Sequence, residues 1–314
     1  MEDDPRGWDA ALWRQLAEMG YLGLVLPPSA GGQGLGAIEL AIVLEEMGRA
    51  CLPGPYLDAV LAAALLAAAG GHDARVAAVA GGAQLVTLAR GRALGGEPAR
   101  VVGGRLTGVC DFVPFAAAAD ALVVAAGDDL WLAGGPFDAT PLPTLDPGQR
   151  FAAVRFDHPA LRIGPSALLV PNDELAAVGA SAMLLGLMTR MLETTLAYLQ
   201  TREAFRRPIG AFQALQHRMA DVLLRTESTR SAVYRAAWCV DTDDPERALA
   251  CAAAKAYAGD ASRLVCGEAI QMHGGIGFTW ELDLHFYFKR AKTLEQFYGS
   301  TEAQLEKALQ AVGF

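Results

Sequence analysis

Apolar residues recur at helical spacing from the first stretch of the chain: Trp8, Leu12, Trp13, Leu16 and Met19 share one stripe, which predicts an amphipathic helix. A turn-rich connection, "LGLVLPPSAGGQGLG", follows. Two more helices are expected over 38–50 and 56–70, separated by "CLPGP", whose prolines and glycine cannot continue a helix. The second of these, "LDAVLAAALLAAAG", is apolar but too short to span a bilayer and reads as a buried helix. Between about 76 and 165 the pattern changes to short apolar segments, "QLVTLA", "ALVVAA", "LWLAG" and "FAAVRFDH", cut by Gly, Pro and Asp, which predicts a small β domain. Past "GPSALLVPNDE" helical period returns, with Leu184, Leu187, Met188, Met191, Leu192, Leu196 and Leu199 on one face and Asn172 or Asp173 as the expected N-cap. A second long helix carries Leu215, Met219, Val222 and Leu223; a third is expected over about 246–271 and a fourth near 282–296.

The fold class is therefore mainly α with a central β domain. We expect an N-terminal helical domain over 1–75, a small β-barrel-like middle domain over 76–165, and a C-terminal four-helix bundle over 166–314.

Composition narrows the function. With 53% hydrophobic and 19% charged residues among 314, the chain can bury a sizeable core, and its net charge of −9 argues against unspecific nucleic-acid binding. Five scattered cysteines without a CxxC pair disfavour a disulfide framework and a zinc site, and point to a reducing cytoplasm. "MEDDPRGW" lacks the apolar core of a signal peptide, and no uninterrupted apolar run reaches spanning length, so no membrane association is expected.

Two stretches carry candidate chemistry. "QMHGGIGFTWE" (271–281) ends a helix in glycines that would let backbone N–H groups approach a ligand, although an isolated GGxG is more often a C-cap and turn. It is not a Rossmann fingerprint, since no strand precedes it. "TREAFRRPIGAFQALQHRMADV" (201–222) places a guanidinium, an aromatic ring and an amide, Arg202, Phe205 and Gln213, around one bundle end. That set suits a diphosphate and a heteroaromatic ring; composition alone would equally allow a solvated basic turn.

Taken together with "LPPSAGGQGLGAIELAIVLEEMGRA" (26–50), these stretches resemble the acyl-CoA dehydrogenase family of flavoproteins. Its patterns "P..yGG.Gl", "R..FG.pI..fQ...h.lAdm" and "Q..GG.Gy..E.p.......rdAk" are matched in order and spacing, the last through Gln271, Gly274, Gly275, Gly277, Glu281, Ala291 and Lys292; Arg206 replaces the glycine of the second. The resemblance implies FAD held across a subunit interface. Arg202, Phe205 and Gln213 would contact its diphosphate and adenine side, and Gln271, Gly274 and Gly275 the adenosine half, typically of the FAD of the facing subunit. Ser300 stands where the family has a flavin-contacting threonine, and Glu302 where it has Gln or Glu.

It also implies removal of the α-proton of an acyl-CoA by a glutamate while the β-hydrogen leaves as hydride. In most members that glutamate lies in "yEGT"; the matching residue here is Tyr298, in "FYGST". A tyrosine is protonated at neutral pH and is a donor rather than a base. Other members place the glutamate early in the first bundle helix, which falls near Ala176 here, with Glu174 two residues away and on the opposite helix face. Glu295, one turn before Tyr298, reads as a solvated carboxylate, and Glu281 as structural. His217 reads as a packing or hydrogen-bonding residue, His273 as shaping its loop, and His72, His158 and His285 show no metal-ligand spacing.

Without a base at either site, and with a short N-terminal helical part, the chain is similar to the degenerate partner in two-subunit actinobacterial enzymes for bulky sterol- or polyketide-like acyl-CoAs. The expected function is FAD-dependent α,β-desaturation of an acyl-CoA beside a homologous base-bearing subunit or a second copy, with an electron-transfer flavoprotein as acceptor. Oxidase or monooxygenase chemistry on the same fold, or a non-catalytic scaffold subunit, are the alternatives.

Overall fold

The computed structural model describes residues 7–90, 93–94 and 96–314, so the acidic start "MEDDPR" lies outside the described residues. The chain forms two compact units, Met1–Gly36 with Pro53–Asp173, and Ala37–Leu52 with Glu174–Phe314.

The first unit opens with α1 (Ala10–Glu18), where the Asp9 carboxylate caps the helix by accepting from the N–H groups of Ala11 and Leu12 at 2.7 and 3.3 Å. Helix α2 (Ala37–Arg49) belongs to the second unit. Helix α3 (Tyr56–Ala69) is buried nearly all round, Asp58 included, as its mostly apolar, Ala- and Leu-rich surface requires. A fourth helix, α4 (Asp73–Ala80), runs across residue 76, where the β domain is expected to begin. Its Val76, Val79 and Ala80 bury one face at helical spacing, and the first strand starts only at Val86.

The β part comprises β1 (Val86–Ala89), β2 (Arg100–Val102), β3 (Arg105–Pro114), β4 (Ala121–Ala126), β5 (Asp129–Gly134), β6 (Asp138–Leu142), β7 (Phe151–Pro159) and β8 (Leu161–Pro165). They make two four-stranded sheets, ordered β1-β4-β5-β8 and β2-β3-β7-β6, with β1 parallel to β4 and the other pairs antiparallel. Leu106, Cys110 and Val113 of β3, Leu122 and Val124 of β4, and Val154 and Phe156 of β7 share one core between the sheets. The two sheets enclose this core without closing into a barrel: among the described residues no ladder joins them. Closure would need hydrogen bonds along their edges, yet β2 is three residues long and β6 contains Pro141, which has no N–H to donate.

Helix α5 (Leu169–Thr201) crosses the divide between the units. It begins before the expected N-cap, with Pro171 in the first turn, where its missing N–H costs nothing. Asn172 instead donates to the Leu61 carbonyl at 2.8 Å, and Asp173 pairs with Arg90. The segment Ser166–Thr201 is long and apolar enough to cross a membrane, but 78% of its apolar window is buried, as in a core helix.

In the second unit α5 is followed by a hairpin, β9 (Glu203–Ala204) and β10 (Arg207–Pro208), then α6 (Gln213–Asp241), α7 (Arg247–His273) and α8 (Leu284–Gln296). A further helix, α9 (Thr301–Ala311), was not expected from the sequence. Helix α2 is tied into this unit through its N-terminus, where Ala37 and Ile38 donate to the Asp241 carboxylate at 2.6 and 3.0 Å. It also meets α5 backbone to backbone: a Cβ on Gly48 would lie 2.1 Å from the Met183 carbonyl oxygen, and one on Gly186 would lie 1.9 Å from that of Glu45.

Candidate functional site

The ends of three helices meet at one end of the second unit. Tyr198, near the end of α5, stacks on His273 at the end of α7, with ring centroids 4.3 Å apart, and its hydroxyl donates to the His273 carbonyl at 3.4 Å. Arg218 of α6 pairs with Glu268 of α7 at 3.0 Å, which sets the start of α6 level with the same end. His273 is buried, with Nδ1 on the Ala269 carbonyl, so it does shape this corner.

Six of the seven residues expected to contact FAD gather here. Arg202 follows α5 directly; its N–H donates to the Tyr198 carbonyl and its carbonyl accepts from Ile209, both at 2.8 Å. Its guanidinium makes no hydrogen bond, ion pair or ring contact among the described residues. Phe205 and Arg206 form the hairpin tip with φ of 54° and 65°. Two successive positive φ values are what a tight two-residue hairpin turn demands, and they leave the Phe205 ring 89% exposed. Gln213 is the first residue of α6, and the preceding Phe212 supplies no side-chain cap, so the first N–H groups of that helix are not satisfied by a cap. Gln271 is exposed on the last turn of α7. Gly274 caps α7 at φ 66°, and a Cβ on either Gly274 or Gly275 would meet nothing within 4 Å. An open apolar depression of about 330 Å³ lies alongside, lined by Leu196, Leu199, Pro208 and Met219 among others.

Ser300 lies elsewhere. It caps α9, accepting from the Ala303 N–H at 3.3 Å. Glu302 is held below the usual carboxylate range by its own backbone N–H and by the Ser300 hydroxyl. The loop carrying Tyr298, Gly299 and Ser300 is clasped from inside. Lys255 of α7, fully buried, donates from Nζ to the carbonyls of Gly299 and Glu295 at 2.8 and 3.2 Å. Burial lowers its amine from 10.5 to about 8. Gln304 of α9 donates to the Tyr298 carbonyl at 3.1 Å, and Tyr298 itself is held at φ 61°. Lys255 and His273 stand eighteen residues apart on one helix, so this loop lies roughly 25 Å along α7 from the other group.

The candidate bases are committed elsewhere. Glu295 is buried and paired with Lys292 at 2.6 Å and Arg263 at 3.8 Å, which corrects its reading as a solvated carboxylate: α8 turns that face inward, with Arg290, Ala291 and Leu294. Glu174 pairs with Arg247 at 3.1 Å; burial raises its carboxyl while Arg247 opposes the rise. Ala176 is buried and Glu281 is exposed. His217, expected to pack or hydrogen-bond, is exposed on α6. The five cysteines are free thiols, and no cluster of three metal-ligating side chains occurs among the described residues.

Sequence reasoning missed Lys255, although a single lysine within "CAAAKAYAGDA" is a visible signal: a cation in an apolar helical run must find carbonyls or a carboxylate. Gln304 and the pairing of Tyr198 with His273 gave no comparable signal.

The fold places the chain beside known proteins. Residues 2–82 match the acyl-CoA dehydrogenase N-terminal domain and residues 174–313 the C-terminal domain. The chain is 36% identical to acyl-CoA dehydrogenase IpdE2 of Mycobacterium tuberculosis over 91% of its own length and 81% of the relative's. It is similar to a chain of the ChsE4-ChsE5 complex from Mycobacterium tuberculosis, with a TM-score of 0.91 at 30% identity over 99% of this chain and 90% of that one. It is likewise similar to a chain of the Tcur3481-Tcur3483 steroid ACAD G363A variant, with a TM-score of 0.88 at 30% identity over 99% and 90%. Fold neighbours of lower identity include an FAD complex of PigA. The chain belongs to the acyl-CoA dehydrogenase family, a family of oxidoreductases.

Proposed function

We propose that the chain is an FAD-dependent subunit that desaturates the α,β bond of an acyl-CoA thioester together with a homologous, base-bearing partner subunit. The observation that carries this reading is the Tyr298 loop. Tyr298 stands where the family's glutamate is expected, Glu295 beside it is locked in two ion pairs, and Glu174 is paired with Arg247. A tyrosine hydroxyl at neutral pH donates a hydrogen bond and does not take a proton from carbon.

The residues present fit a flavin dinucleotide. Arg202 is unpaired among the described residues, the uncapped start of α6 offers N–H groups to a diphosphate, Phe205 presents an open ring, and Gly274 and Gly275 leave their surroundings clear. FAD, when bound, supplies the acceptor for the hydride that leaves the β-carbon. Arg202 and Gln213 would hold the diphosphate and adenine side, Gln271, Gly274 and Gly275 the adenosine half, and Ser300 would face the flavin side. The distance along α7 between Ser300 and the other six suits contacts shared between two subunits. Similarity to the steroid ACAD structure and to the ChsE4-ChsE5 complex supports a bulky polycyclic acyl group and a heteromeric assembly. By family membership, an electron-transfer flavoprotein would reoxidise the flavin and the complex would work in the cytoplasm.

Co-expression with a base-bearing homologous subunit tests this. We expect a yellow complex whose visible flavin band is bleached by a steroid-type acyl-CoA, and Arg202→Ala should lower its FAD content. A colourless complex, or a yellow one that no acyl-CoA bleaches, would refute desaturation. FAD content unchanged by Arg202→Ala would assign this chain a scaffold role.

A further inference from the structure

Arg206 is held in a conformation that a glycine would adopt without strain. At φ 65° an L-residue is strained, and the resembled family pattern has glycine at this position. The side chain is exposed and makes no hydrogen bond, ion pair or ring contact among the described residues. Other arginines of the same unit are neutralised: Arg218 by Glu268, Arg235 by Glu246, Arg263 by Asp260. The hairpin does the reverse. Arg202, Arg206 and Arg207 surround its turn with one carboxylate, Glu203, among them, and Arg207 is fixed with its guanidinium 4.1 Å from the centre of the Phe212 ring. Phe212 in turn meets Phe205 edge to face at 6.1 Å, and Pro208 lines the apolar depression.

We infer that Arg206 is an additional phosphate-binding residue of this chain, reaching the diphosphate proposed above for Arg202 from the hairpin tip. Planar guanidinium forks match phosphate oxygens two at a time, and Arg202, Arg206 and Arg207 within one short segment supply a local positive field despite the chain's net negative charge. The exposed Phe205 ring and an apolar depression beside the charges suit an attached base. FAD and coenzyme A both contain an ADP unit, so the inference deepens the flavin reading and rests on it for FAD alone.

The test compares the co-expressed complex, stripped of nucleotide and carrying the wild-type chain or its Arg206→Gly or Arg206→Ala variant, titrated with ADP, FAD and coenzyme A at low and physiological salt. Arg206→Gly should bind ADP roughly tenfold more weakly and with a shallower salt dependence. Its ligand-free Tm should stay level or rise by about 1–2 °C as strain is released. Arg206→Ala should lose the same affinity without that rise. If FAD shares the loss, the flavin is the ligand; if coenzyme A does and FAD binds none of the proteins, the flavin reading falls while this inference stands. Equal or tighter ADP binding by Arg206→Gly overturns the inference, even where the wild-type complex binds FAD. So does failure of the wild-type complex to bind ADP.

Discussion

Replacing Lys255 by methionine tests the clasp on the Tyr298 loop with a sign that depends on pH. Methionine keeps the unbranched shape and removes the charge. In the wild-type chain, burial moves the amine from 10.5 to about 8, equivalent to about 3 kcal/mol against the charged form. The folded pKa is depressed, so the related stability is complete above the unfolded value and is lost as pH falls through the folded one. Between about pH 7 and pH 9.5 this single group should add about 2 kcal/mol to wild-type stability. Lys255→Met relieves the charging penalty, but it leaves the carbonyls of Gly299 and Glu295 without their donor, at roughly 1–3 kcal/mol each. At pH 7 the two effects nearly offset. By pH 9.5 the variant should be about 2 kcal/mol further below wild type. Urea unfolding of both proteins at the two pH values measures this directly, because other titrating groups cancel in the difference. A gap that does not change with pH would refute the argument that the amine is desolvated and held by these carbonyls.

Three further outcomes follow from the same geometry. Gly186→Ala places a methyl 1.9 Å from the Glu45 carbonyl oxygen and should cost about 2–3 kcal/mol in chemical denaturation, whereas Gly267→Ala, with nothing within 4 Å, should stabilise α7 by about 0.5–1 kcal/mol. Glu174→Gln should leave acyl-CoA-dependent flavin bleaching of the assembled complex within about twofold, since its carboxylate is paired with Arg247 rather than free; loss of about a hundredfold or more would identify it as the base. Tyr298→Glu in a complex whose partner has lost its own base should restore measurable bleaching, followed by stopped-flow absorbance, and no recovery would show that the loop does not face the thioester.

The long helices were legible because their apolar stripes repeat over many turns, so that local spacing alone separates buried from exposed faces. Leu184, Leu187, Met188 and Met191 are all buried on α5 as their spacing predicted. Helix α4 and helix α9 were not legible: α4 sets only Val76 and Val79 among alanines, and α9 leaves Leu305 and Leu309 exposed rather than forming a buried stripe. The strand segments were visible, yet whether they close into a barrel depends on edge pairing between residues far apart in the chain.

By itself, then, the sequence determined the order of helical and β segments, the family, and the presence of Tyr298 where a carboxylate was expected. Those follow from residue type and spacing, which are local. Tertiary structure alone decided that Glu295 is buried in ion pairs, that Lys255 holds the Tyr298 loop by its carbonyls, and that Arg206 sits at positive φ without a partner among the described residues. Each of these depends on which distant groups fold against a side chain, and the desolvation and pairing that result cannot be assigned until the partners are in place.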